Sequence, residues 1–160
     1  MTSQAFSVQG FRTDAGMQGL LPGAQFADAF RIAVNDDTLT ARQAAERMFL
    51  SQPGWISALM RLRNFVVAPL GLKTPTHTKA IVADSIGPFP VISDTPERLV
   101  AGFDDKHLDF RVIVDVTGNL PDRQVTATTL VMTHNLLGRA YVATIMPFHR
   151  IIVPAMLRQV

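Results

Sequence analysis

The sequence predicts an α+β fold in which a curved antiparallel sheet carries two helices near its N-terminal part and a C-terminal helix packed on it. Three observations lead there. A period-two apolar run is followed by two helical patterns, then by a long succession of strand-length, β-branched segments, then by an apolar stripe at helical spacing.

The first 20 residues show no periodicity and are expected to form a flexible N-terminal segment, leaving residues 21–160 as one domain. Structure is expected from Leu21-Pro22-Gly23. Phe26, Asp28, Phe30, Ile32 and Val34 then alternate with Ala27, Ala29, Arg31 and Ala33, as in a strand that Asn35-Asp36-Asp37 ends. Thr40 to Gln43 reads as a capping box, in which hydroxyl and amide satisfy the free backbone groups of a starting helix. That helix runs to about Leu50, and Pro53-Gly54 breaks it. Trp55, Leu59, Leu62, Val66 and Leu70 recur as the stripe of a second helix, with Gly71 as its stop.

Beyond Pro75 the segments near 79–83, 88–92, 97–103, 107–117, 124–134 and 139–146 read as strands. Pairing Phe103 with Leu108, Val116 with Val125 and His134 with Arg139 places Leu99, Ala101, Phe103, Leu108, Phe110, Val112, Val114, Val116, Val125, Ala127, Thr129, Val131, Thr133, Ala140, Val142 and Thr144 on one face. That face contains no charge, and because a one-residue slip inverts every side chain, the agreement of three hairpins supports it. The other face is mixed, holding His107, Asp109, Arg111, Asp115, His134 and Tyr141. Pro147 suits the first turn of a last helix, with Phe148, Ile151, Ile152, Ala155 and Met156 on one side and a kink at Pro154.

Composition narrows the function classes. Of 160 residues, 48% are hydrophobic and 18% charged, so there is enough apolar material for a large core, for a cavity, or for a partner surface. A net charge of +2 without a basic run disfavours nucleic acid as partner. No basic start with an apolar centre marks a secretory leader, and the apolar run Phe65 to Leu72 is too short to span a bilayer, so a cytoplasmic location is expected. Zero cysteines exclude disulfides, thiolate metal sites and a cysteine nucleophile.

Leu21 to Phe30, Leu62-Arg63-Asn64, Gly102 to Arg111, His134 to Arg139 and Pro147 to Arg150, in that order, resemble the bacterial family catalogued as domain of unknown function 2867. The resemblance spans about residues 20 to 160 and brings no catalytic residues with it. The order of one strand, two helices, a run of strands and a last helix is similar to the helix-grip arrangement of the START-like superfamily. That similarity implies an apolar ligand held between the sheet and the C-terminal helix.

Candidate chemistry is sparse. Asp109, His134 and Tyr141 are candidates for proton transfer and Arg111 for stabilising negative charge, although Asp104 and Asp105 also make a turn and Asp109 also suits a strand-face pair with Arg111. His107 and His134 are cross-strand neighbours, yet no third ligand stands at a recognised spacing, so no metal is expected. Neither a phosphate loop nor a glycine-flanked serine is present, and no cofactor is expected. His77 has no identifiable partner and His149 reads as solvent-facing beside Arg150. The leading expectation is a binder or carrier of a small lipophilic molecule, lined by Trp55, Arg63, Phe110, Val112, Val131, Phe148, Ile152 and Met156. The alternatives are a cofactor-independent cyclase, dehydratase or isomerase, and a homodimeric interaction module.

Overall fold

A computed structural model describes residues 7–8, 17, 19–50, 54–70 and 84–160; within the second helix several side chains, including those of Leu59, Met60, Arg63, Val66 and Leu70, lie outside the described set. The expected strand 79–83, Gly71 and His77 also fall outside it. Seven strands, β1 (Ser7–Val8), β2 (Phe26–Ala33), β3 (Ser85–Ile86), β4 (Phe89–Asp94), β5 (Arg98–Asp104), β6 (Leu108–Thr117) and β7 (Gln124–Thr133), pair antiparallel in the order β1-β2-β7-β6-β5-β4-β3. Helices α1 (Ala41–Leu50) and α2 (Gly54–Val67) follow β2, and α3 (Leu136–Leu157) closes the chain and packs on the sheet.

The first half follows the expected pattern, and its chemistry is visible. Thr40 N–H donates to Gln43 Oε1 at 3.0 Å while Gln43 N–H donates to Thr40 Oγ1 at 3.2 Å, the reciprocal bonds of a capping box. Ala41, Ala44, Ala45 and Met48 put the spacing 3, 1, 3 into the core, which fixes the buried face of α1. Arg42 on that helix donates to Asp94 at 2.6 Å and to Asp84 at 3.0 Å, tying α1 to the β3–β4 edge.

Of the stripe expected for α2, Trp55 and Leu62 are exposed and the side chains of Leu59, Val66 and Leu70 lie outside the described set, while Ile56 is sealed.

The β6–β7 register is as expected, with Val116 opposite Val125. Between β5 and β6 the pairing is Phe103 with Phe110 and Asp104 with Asp109, two residues from the expected one. Because a strand repeats every two residues, this shift preserves both faces. The charge-free face is indeed the inner one: Leu99, Ala101, Val112, Val114, Val116, Val125 and Ala127 are buried with Ala44, Met48, Met156 and Leu157. The opposite face carries a smaller cluster, Val100, Ile113 and Leu130, covered by Met17 and Leu21 from the segment before β2. Across it, Arg98 binds Asp115 through two bonds of 2.5 and 3.1 Å, which partners the buried carboxylate.

The largest correction concerns residues 135–147. Expected as a strand from 139 to 146, with a helix starting at Pro147, they form the first half of one 22-residue helix. Asn135 is the N-cap, its side chain accepting from Gly138 N–H at 2.9 Å, so no 134–139 hairpin exists. Gly138 explains why the helix docks here: a Cβ at that position would stand 2.2 Å from the His107 carbonyl oxygen, and only glycine lets the backbones approach. Pro147 sits inside the helix rather than at its start. Its ring leaves the Ala143 carbonyl without a helical donor, and that residue faces solvent, where water can supply one.

The face that α3 turns to the sheet is therefore continuous over the whole helix. Gly138, Tyr141, Ile145, His149, Ile152 and Met156, spaced 3, 4, 4, 3 and 4, are buried or half-buried. Phe148 and Ile151, expected on the buried side, are exposed. By length and composition α3 would suffice to cross a membrane.

Candidate functional site

Register defines what lines the inner face. Reading across β5, β6, β7 and β2, one row is Phe103, Phe110, Val131, Phe26; the next is Ala101, Val112, Thr129, Asp28; the next is Leu99, Val114, Ala127, Phe30. The first row is bulky and aromatic. The second is built from small residues except for one carboxylate, that of Asp28.

The aromatic end of the sheet is only partly covered. Phe26, Phe103, Phe110 and Phe89 of β4 are half-buried, as are Val142 and Ile145 of α3 above them, whereas Leu99, Ala101, Val114 and Val125 further along the same face are sealed. The phenylalanine rings form one layer, with centroids 5.0 Å apart for Phe89–Phe110, 5.7 Å for Phe103–Phe110 and 6.1 Å for Phe89–Phe103, and with Phe49 of α1 meeting Phe89 edge-on at 5.8 Å.

His149 sits above Asp28, not in solvent as the sequence suggested. Its ring lies 6.2 Å from that of Phe26 and 6.4 Å from that of Phe30. Those two residues flank Asp28 on the same face of β2, so the imidazole stands over the stretch of strand that carries the carboxylate, whose charge acts on it. Burial lowers the His149 pKa below its ordinary value; the Asp28 charge opposes that effect and the neighbouring Arg150 charge adds to it. Asp28 Oδ2 and His149 Nε2 are both buried and have no hydrogen-bond partner in the protein.

The sequence singled out a different polar set, and the structure separates it. His134 Nε2 lies 3.0 Å from Asp109 Oδ1, so those two meet. Arg111, expected beside Asp109, pairs instead with Asp104 at 2.6 Å and donates to the carbonyls of Phe103 and Phe110, its guanidinium engaged with the β5–β6 hairpin. Tyr141, expected on the same mixed face, belongs to α3 and packs with Leu108 and Val131 on the inner side. His107 meets the cap residue Asn135 at 2.9 Å, and its carbonyl accepts from His134 N–H, so the two histidines are backbone neighbours whose rings serve different partners. Among the described residues no group of three or more His, Cys, Asp or Glu is arranged to hold a metal.

Of the expected lining residues, Phe110 belongs to the aromatic layer, Val112 and Val131 are buried beside it, Ile152 is half-buried and Met156 lies in the sealed core. Trp55 and Phe148 are exposed. The Arg63 side chain lies outside the described set.

A concavity of about 560 Å³ opens at the other end of the sheet between the loop before α1, the start of β5 and the β6–β7 hairpin. Asp37, Thr40, Glu97, Asn119 and Arg123 line it. Arg123 bridges its walls, donating to Leu39 O at 2.9 Å and Gly118 O at 3.2 Å.

Fold and face together define an α+β protein whose antiparallel sheet is packed against a long C-terminal helix, with aromatic side chains, Asp28 and His149 between the layers. Over residues 20–156 the chain matches the family described as "Protein of unknown function (DUF2867)", and it belongs to that family. No match was found among curated proteins or among solved structures, so the START-like resemblance has no counterpart in these comparisons.

Proposed function

We propose that the protein binds a small, predominantly apolar molecule between the aromatic end of the inner sheet face and α3. The observation that carries this reading is the half-covered layer of Phe26, Phe89, Phe103 and Phe110. An aromatic side chain buries 150–250 Å² when it is fully packed, so leaving four of them half-covered beside a sealed core retains apolar area that a flat, apolar ligand would remove from water. The small-residue row next to it supplies room, and the partnerless atoms of Asp28 and His149 supply a polar anchor of the kind that orients a ligand in an apolar site. The reading also draws on the resemblance of the element order in the sequence to the helix-grip arrangement.

The test is native mass spectrometry of the purified protein, followed by titration of the delipidated protein with 2-naphthol. Binding that Phe110→Ala weakens at least tenfold supports the reading. Equal affinity of wild type and Phe110→Ala overturns it.

A second reading has its own observation. Trp55, Leu62 and Phe65 of α2 and Phe148 and Ile151 of α3 expose large apolar side chains, as an interaction module would. Light scattering at micromolar concentration distinguishes it, since a homodimer doubles the 17.5 kDa mass.

A further inference from the structure

We infer that Asp28 and His149 form a proton-transfer pair that enolises an apolar ketone lying on the aromatic row, an inference that rests on the ligand-binding reading above. Three observations converge on it. Asp28 lies on the inner sheet face, in the row whose other members are Ala101, Val112 and Thr129, and unlike Asp94 of β4 on the same face it has no arginine bound to it. His149 stands over it from α3, placed by its near-equal distances to Phe26 and Phe30. The atoms that would do the chemistry, Asp28 Oδ2 and His149 Nε2, are among the four buried side-chain atoms, with Arg123 Nε and Thr128 Oγ1, that have no hydrogen-bond partner among the described residues.

A buried carboxyl oxygen and a buried ring nitrogen without hydrogen bonds each cost stability, about 1–3 kcal/mol by general experience, so two between the same sheet face and helix need a reason. Structural ion pairs elsewhere in this protein, Arg98–Asp115 and Arg42–Asp94, are fully engaged at 2.5–2.6 Å, and the contrast singles out the inner pair.

The chemistry closes without a further reactant. The Asp28 carboxylate accepts a proton from the carbon next to the substrate carbonyl. As that C–H bond breaks, its electron pair forms a C=C bond and the carbonyl π pair moves to oxygen, where the neutral His149 Nε2–H stabilises the charge by hydrogen bonding. Return of the proton to the same carbon gives exchange with solvent, and return to a conjugated carbon moves a double bond; either way the carboxylate is restored. The aromatic row excludes water from the enolate and holds the apolar body of the ketone. The charged groups that act on His149 are Asp28 from β2 and Arg150 from its own helix.

The experiment follows deuterium uptake at C1 of 2-tetralone in D₂O by NMR, with the affinity of the same ketone measured separately. Wild type is expected to bind it and accelerate uptake, and Asp28→Asn, compared at saturating ketone, to lower the acceleration by 10²–10⁴-fold, the usual contribution of a positioned acid or base. The pD profile of the wild type is a second readout that needs no variant: acceleration is expected to fall as acid charges His149 and ties up the carboxylate. Binding without accelerated uptake, or acceleration that survives Asp28→Asn and is flat with pD, overturns this inference and leaves the binding reading standing. Failure of both 2-tetralone and 2-naphthol to bind overturns the two together.

Discussion

Leu157 offers a quantitative probe of how α3 closes the fold. Its side chain is completely buried at the helix end, in one cluster with Ala41, Ala44 and Met48 of α1 and Val114 and Val125 of the sheet. Leu157→Ala removes three carbon atoms, about 2.4 kcal/mol at roughly 0.8 kcal/mol per buried methylene. The surrounding strands are hydrogen-bonded on both sides and collapse poorly into the void, so a residual-cavity contribution brings the expected loss to about 3–5 kcal/mol. With a urea slope of about 2 kcal/mol/M for a chain of this size, the unfolding midpoint should fall by about 1.5–2.5 M. Ile151→Ala is the matched control: the residue is 58% exposed six positions earlier, and its loss should stay within about 0.5 kcal/mol. Equal midpoints for Leu157→Ala and wild type, or a larger loss for Ile151→Ala, would refute the packing described for α3.

Other consequences are as direct. Gly138→Ala places a methyl group 2.2 Å from the His107 carbonyl oxygen, a backbone atom, so α3 must shift at a cost of about 1–3 kcal/mol or more, read as a lower urea midpoint. Thr40→Ala removes one half of the capping box at α1 and should cost about 1 kcal/mol by the same assay. His149, with its pKa lowered in the folded state, stabilises the fold fully above the ordinary value of 6.5 and progressively less as pH falls below it, because the unfolded chain takes up the proton first. His149→Phe, which matches the ring packing on Phe26 and Phe30, should therefore lose less stability than wild type between pH 7 and pH 5 in parallel denaturations.

The part of the fold that was readable from sequence was the part governed by local rules. The capping box at Thr40, the β2 alternation and the inner face of β5 to β7 each follow from spacing alone, and even the two-residue error at the β5–β6 hairpin left every side chain on its proper face. The failure at 139–146 came from β-branched Val142, Thr144 and Ile145, which favour strands, and from reading Pro147 as a helix start, whereas the structure starts the helix at the Asn135 cap. Tertiary docking through Gly138 decides the matter, and no window of a few residues contains His107. That misreading also hid the site. With 139–146 taken as a strand, Tyr141 joined the wrong face, and the stripe through His149 was cut in two. Asp28 was visible as the one charge within the apolar phase of Phe26, Phe30, Ile32 and Val34, but only the position of α3 shows what stands above it.

Where an apolar ligand sits is measured directly by intermolecular nuclear Overhauser effects from bound 2-naphthol. Contacts to the rings of Phe103 and Phe110 and to the Ile145 methyl groups, with the probe hydroxyl close to His149, are the predicted result. Contacts confined to Trp55, Phe148 and Ile151 on the outer surface of the helices would contradict it.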